Sequence, residues 1–185
     1  MEPYVQLNCD IDYDPFMFMK INNKAYGFTI TLIEYEETIP TLWDHTKQFM
    51  KLHPDYFASD NLVEFVIDNG DFETSSYNLC HFWSNFEIGD INFFRSRQYK
   101  DYFEYLDKTG GFFYERWGDA PVHSIAASLF LNKSQVYHFK DIGYVHDGMG
   151  HCPLGEKQFH ENGRCNCNVA DLSLIHISEP TRPRL

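Results

Sequence analysis

The sequence predicts an α/β layered domain. Runs rich in aromatic and β-branched residues alternate with segments of helical spacing. Apolar residues make up 43% of the chain and aromatic residues 17%, which argues for a packed core and against disorder. A length of 185 residues is enough for one domain with a real core.

The elements are expected in the following order. Residues 4–14 alternate apolar and polar side chains and end in Asp10, Asp12 and Asp14, a strand running into an acidic turn. Residues 25–32 (AYGFTITL) read as a strand. Residues 38–52 read as a helix with Pro40 in its first turn and Ile39, Leu42, Trp43, Thr46, Phe49 and Met50 on one face. Residues 62–67 form a short apolar run of undecided type, residues 68–76 a polar loop, and residues 78–86 a strand or pocket loop. Residues 96–109 read as a helix, with Tyr99, Tyr102, Phe103 and Leu106 at helical spacing and Gly110-Gly111 as the stop. Residues 119–130 read as a second long helix with Pro121 in its first turn, and residues 136–139 as a short strand. From Lys140 onward Gly, His, Pro and Cys dominate and the reading is loop.

The totals narrow the function. A formal net charge of −12 disfavours nucleic acid as a partner. Acidic side chains could instead hold a divalent cation against an anionic substrate. No apolar run reaches the ~18 residues a membrane-spanning helix needs, and no secretory signal is evident. Five cysteines leave at least one outside any pair. Cys152, Cys165 and Cys167 with His151 and His160 could form a zinc site. The CNC spacing is not the CxxC of zinc ribbons, so a disulfide-bonded tail in an oxidising compartment is the preferred reading.

Two blocks stand out, residues 77–87 (YNLCHFWSNFE) and 112–123 (FFYERWGDAPVH). Each sets carboxylates and histidines among Trp, Phe and Tyr, a mixture costly to bury without partners and common in sugar or nucleotide pockets. Glu87 beside Trp83, Asn85 and Phe86 is either a reactive carboxylate or a strand-end residue paired with Arg95 or Arg97. Glu115, Arg116 and Asp119 are either pocket residues or an internal salt bridge and a helix cap. His146 and His151 lie in a Gly-rich loop and could meet a metal with a distant carboxylate. His81 and His123 read as hydrogen-bonded structural residues. Cys80-His81 cannot act as a pair, because neighbours on a strand face opposite ways. A nucleotide P-loop, GxGxxG, HExxH and GxSxG are all absent.

Read together, the blocks resemble the fungal α-1,2-mannosyltransferases known as glycolipid 2-α-mannosyltransferases. The resemblance rests on EPxV at 2–5, CDIDYD at 9–14, TIPTLW at 38–43, YNLCHFWSNFEI at 77–88, GGFFYERWGDAPVHSIAA at 110–127, and DIGYVH at 141–146 with HCP at 151–153. It implies a GT-A-like α/β fold and a Golgi enzyme that transfers mannose from GDP-mannose to a mannoside acceptor with retention, using Mn²⁺. It also implies roles for residues. Glu87 matches the candidate nucleophile, and Glu2 and His146 match the metal positions. Trp83, Asn85, Tyr114, Glu115, Arg116 and Asp119 would line the substrate cleft. Residues 1–172 are then expected to be the C-terminal portion of a catalytic domain whose first half and membrane anchor are absent. Residues 173–185 (SLIHISEPTRPRL) are expected to be a non-native, adapter-derived tail. The competing expectations are a carbohydrate-binding module without catalysis and a truncated, inactive product.

Overall fold

The computed structural model describes residues 4–169, so Glu2 and the expected boundary at residue 172 lie outside the described residues. β1 (Val5–Leu7) is followed by α1 (Pro15–Ile21). The Asp14 carboxylate accepts from the amides of Phe16 and Met17 at 2.9 and 3.0 Å, and Pro15 fills the first helical position, where its missing N–H is no loss. The sequence reading has no helix here. Asp14-Pro15 is a start signal that the preceding acidic run obscures.

The single strand expected over residues 25–32 is two, β2 (Tyr26–Phe28) and β3 (Thr31–Ile33), in different sheets. The chain changes sheet at Thr29 and Ile30. Their carbonyls accept from His138 Nε2 at 3.0 Å and from the Trp83 amide at 2.9 Å, and this switches the ladder. α2 (Leu42–Leu52) begins four residues later than expected, after a 3₁₀ turn at Glu36–Thr38. All six side chains assigned to its inner face are buried. The undecided run becomes α3 (Val63–Val66).

β4 (Cys80–Phe82) pairs antiparallel with β3, and β5 (Glu87–Gly89) pairs antiparallel with β2. The intervening residues 83–86 turn between two sheets. α4 (Ile91–Phe94) and α5 (Arg97–Thr109) follow, and Gly110 ends α5 at φ 81°, in the left-handed region a side chain would strain. Tyr99, Tyr102 and Leu106 are buried as expected, whereas Phe103 is largely exposed. After the short α6 (Gly111–Tyr114) comes α7 (Asp119–Phe130), with the expected bounds. Its apolar residues run all the way round, the pattern of a helix enclosed by protein, and nine of its twelve residues are buried. Ser124 fixes it to β4 by accepting from the Phe82 amide at 2.7 Å.

β6 (Val136–His138) runs parallel to β2, completing the order β5-β2-β6. The region expected to be loop holds a hairpin, β7 (Tyr144–His146) and β8 (Met149–His151), whose two-residue turn places Asp147 and Gly148 at φ 49° and 79°. Asp-Gly is the usual sequence for that turn. β1 joins β7 to give a third sheet, β1-β7-β8.

The cysteines form the disulfides Cys9–Cys165 and Cys152–Cys167, with Cys80 free. His151 and His160 bond through Nε2 to the carbonyls of Lys140 and Pro153, each at 3.0 Å. The disulfide reading therefore holds over the zinc alternative.

Candidate active site

The site is organised around Glu87, the first residue of β5. Register pairing sets Glu87 opposite Phe28 on the central strand β2, beside Tyr26. Tyr26 is fully buried, and its hydroxyl donates to Glu87 Oε2 at 2.5 Å. From the other side, α7 brings His123, whose Nδ1 lies 3.1 Å from both carboxylate oxygens. The rings of Phe94 and Tyr99 pack against the imidazole at centroid distances of 5.1 and 6.1 Å. Glu87 and His123 side chains keep 22% and 20% of their exposure. The carboxylate is thus held from inside yet reachable from outside, as a reactive group must be. Neither Arg95 nor Arg97 is its partner; Arg97 pairs with Asp101 at 3.4 Å.

Burial first, and then the Glu87 charge, push the Tyr26 phenol well above its ordinary range, so it remains a neutral O–H donor at every physiological pH. Burial also lowers the pKa of His81, a core residue of β4, in keeping with its expected structural role. The adjacent Cys80 has its thiol pushed up by burial and is a poor nucleophile.

Residues 83–86 connect Glu87 to the rest of the cleft. The Ser84 hydroxyl donates to Asp119 Oδ1 at 2.9 Å at the start of α7, and Tyr144 of β7 donates to the Asn85 carbonyl at 3.1 Å. The Trp83 ring lies 5.4 Å from the ring of His146. The fold thereby brings Trp83, Asn85, Glu87, Asp119 and His146 around one turn, although in sequence they are spread from residue 83 to residue 146. Asp119 is the first residue of α7, not its cap. Gly118 holds the cap position, and Asp119 accepts from the Ala120 amide at 2.8 Å.

The other residues of the second block lie differently. Tyr114 and Arg116 are exposed, Arg116 at φ 71°. Glu115 forms no salt bridge with Arg116. It caps the start of α2, accepting from the Thr41 amide and hydroxyl at 3.1 and 2.7 Å and from Trp117 Nε1 at 2.8 Å. Burial opposes its ionisation, but the bonds from Thr41 and Trp117 outweigh that and hold the carboxyl below its ordinary value. A depressed folded-state pKa gives stability that is present at neutral pH and lost as pH falls through the folded value. Glu115→Ala is expected to cost about 1.5–3 kcal/mol at neutral pH. Its melting temperature should approach that of the parent as pH is lowered through the carboxylate range. Parallel curves of Tm against pH would contradict this.

His146 is the residue that the resemblance pairs with Glu2 at a metal position. It sits on β7 directly opposite Val5, three residues after Glu2 in sequence. An imidazole with a carboxylate is a donor set Mn²⁺ accepts. Two neighbours of Glu87 do not stand out in the sequence: His123, which is hydrogen-bonded as expected but to this carboxylate, and Tyr26, which reads only as part of a strand. A histidine on an apolar helix was the available signal, but its partner lies thirty-six residues away and only the fold reveals it.

Comparison with known proteins gives concordant findings. The model of the family described as glycolipid 2-alpha-mannosyltransferase matches residues 1–177. The chain is 56% identical over 168 residues to glycolipid 2-alpha-mannosyltransferase 1 of Candida albicans, covering 91% of this chain and 38% of that protein. It is similar to the crystal structure of the mannosyltransferase Ktr4p from S. cerevisiae in complex with GDP, with a TM-score of 0.83, 44% identity, and coverage of 91% of this chain and 43% of that one. The Mn/GDP form of core-mannan synthase A from Aspergillus fumigatus gives 0.82 and 46% identity, covering 92% and 46%. The chain thus spans less than half the length of these proteins. The expected GT-A-like α/β architecture agrees with these solved structures.

Proposed function

The chain belongs to the glycolipid 2-alpha-mannosyltransferase family, and on that premise we propose that it serves retaining α-1,2-mannosyl transfer from GDP-mannose to a mannoside acceptor. The setting we propose is the Golgi lumen, in protein glycosylation and cell-wall mannan synthesis. The observation that carries the reading is Glu87, a partly exposed carboxylate held by Tyr26 and His123 at the edge of an aromatic and polar turn. A lectin would need the aromatic rim but not this carboxylate. The two disulfides fit an oxidising compartment. No helix among the described residues is long and apolar enough to cross a membrane.

Retention of configuration calls for a group on the face of the sugar opposite the leaving diphosphate, or for a same-face route through an oxocarbenium-like centre. In the first route a Glu87 oxygen bonds to C1 as the C1–O bond to phosphate breaks and its electron pair leaves with GDP. The acceptor hydroxyl oxygen then bonds to C1, the carboxylate recovers its electron pair, and the hydroxyl proton passes to water. In the second, Glu87 stabilises positive charge at C1. Trp83, Asn85, Asp119, Tyr114, Glu115 and Arg116 are the residues proposed to shape the sugar cleft, Glu115 indirectly by anchoring its turn to α2. Glu2 and His146 are proposed to hold Mn²⁺, which when bound would neutralise the diphosphate leaving group.

The test is calorimetric titration of GDP into the full-length gene product, with and without Mn²⁺. Binding that requires the metal, and a loss of that requirement's effect in His146→Ala, is expected. A folded protein that binds GDP equally well without metal, or not at all with it, would contradict the assignment.

A further inference from the structure

We infer that His123 and Tyr26 are positioning residues for Glu87, fixing which of its oxygens meets the sugar. The inference rests on the functional reading of Glu87 given above. Glu87 Oε2 accepts two contacts, from Tyr26 at 2.5 Å and from His123 at 3.1 Å, whereas Oε1 has His123 alone at 3.1 Å. Oε1 is therefore the oxygen with lone-pair capacity left, and the one presented to C1.

The three groups come from separate elements, a central strand, an edge strand and a buried helix. None of them can drift alone. Tyr26 has no exposed surface, and its phenol has no other described bond in this cluster. His123 is confined by Phe94 and Tyr99, so its ring plane is set by packing before the carboxylate arrives. A glutamate on an edge strand would otherwise have free rotation about its side-chain torsions. Two donors restrict it to one plane, and a carboxylate held in place loses less entropy on reaching the transition state. Burial of Tyr26 and the negative charge of Glu87 both keep the phenol protonated, so the shorter contact is a permanent donor.

Steady-state transfer by the full-length gene product separates this role from simple structural support. His123→Ala and Tyr26→Phe are each expected to lower kcat about 30- to 100-fold, while the KM for GDP-mannose and the affinity for GDP change less than about threefold. His123→Asn, whose amide N–H falls near the place of Nδ1–H, is expected to recover most of the lost kcat. Glu87→Gln is run alongside. If Glu87→Gln still transfers mannose, the reading of Glu87 falls and this inference with it. If Glu87→Gln is inactive while His123→Ala and Tyr26→Phe match the parent, the inference alone falls. It also falls if His123→Ala is impaired and a well-folded His123→Asn is impaired equally. Should His123→Ala fail to fold, Tyr26→Phe and His123→Asn still decide.

Discussion

Glu87→Gln is expected to lower mannosyl transfer about a thousandfold or more while leaving GDP binding and fold intact. The magnitude follows from the loss of a fixed negative charge, or of a nucleophile, at the point where positive charge develops on C1. The fold should survive because glutamine fits the same space. Its carbonyl can accept from the Tyr26 hydroxyl, and its amide can donate to His123 Nδ1 in the other tautomer. Glu87→Ala would be a poorer probe, since it leaves the buried Tyr26 hydroxyl without its acceptor. Transfer by Glu87→Gln at the parent rate would remove Glu87 from the reaction.

The same residue separates the two retaining routes. Attack by Glu87 would leave a transient ester between C1 of mannose and Oε1, visible as one added hexose on the peptide containing Glu87 after rapid quenching. A same-face route leaves no such peptide, yet still loses rate in Glu87→Gln. Glu115→Ala is a useful contrast. Its carboxylate accepts only from Thr41 and Trp117 among the described residues, so its loss should appear in stability more than in kcat.

Much of the fold is legible in the sequence. α7 is legible with its observed bounds because an apolar run preceded by Gly-Asp and carrying Pro121 near its start admits few other readings. α2 was legible on its buried face but not at its start, because the 3₁₀ turn at Glu36–Thr38 uses the same residue types as a first helical turn. The hairpin β7–β8 escaped because its strands are three residues long and rich in Gly and His. Only Asp147-Gly148 marked it. At the candidate site, Trp83, Asn85 and Glu87 are singled out in the sequence because they fall within five residues of one another. His123 is not, since local sequence shows a histidine among alanines and serines, and its partner is supplied by the pairing of β5 with β2 under α7. Glu115 was found as an unusual carboxylate, but its position in sequence does not show that its donors are Thr41 and Trp117.

Removing the Cys9–Cys165 disulfide is expected to destabilise the protein more than removing Cys152–Cys167. The two close loops of very different length, with sequence separations of 156 and 15. Loop-closure entropy puts the long one at roughly 5 kcal/mol and the short one at roughly 3 kcal/mol. The long one also ties together two segments far apart in sequence. Around it the Asp10 amide donates to the Arg164 carbonyl and the Asn166 amide to the Asn8 carbonyl, at 2.8 and 2.9 Å, so releasing it also weakens that pairing. Single substitutions are the wrong test, because the sulfurs of Cys9, Cys165 and Cys167 all lie within 4.8 Å of one another. A thiol left on Cys165 could attack the neighbouring bridge and re-pair with Cys167 or Cys152. The clean comparison is Cys9→Ala with Cys165→Ala against Cys152→Ala with Cys167→Ala, each by denaturant melting. The first pair should lose about 2 kcal/mol more than the second. The full quadruple variant should lose more than the sum, since both bridges constrain the same segment and each partly covers for the loss of the other. Equal losses from the two pairs would mean that native-state packing around Cys152, which is fully buried, outweighs loop length here.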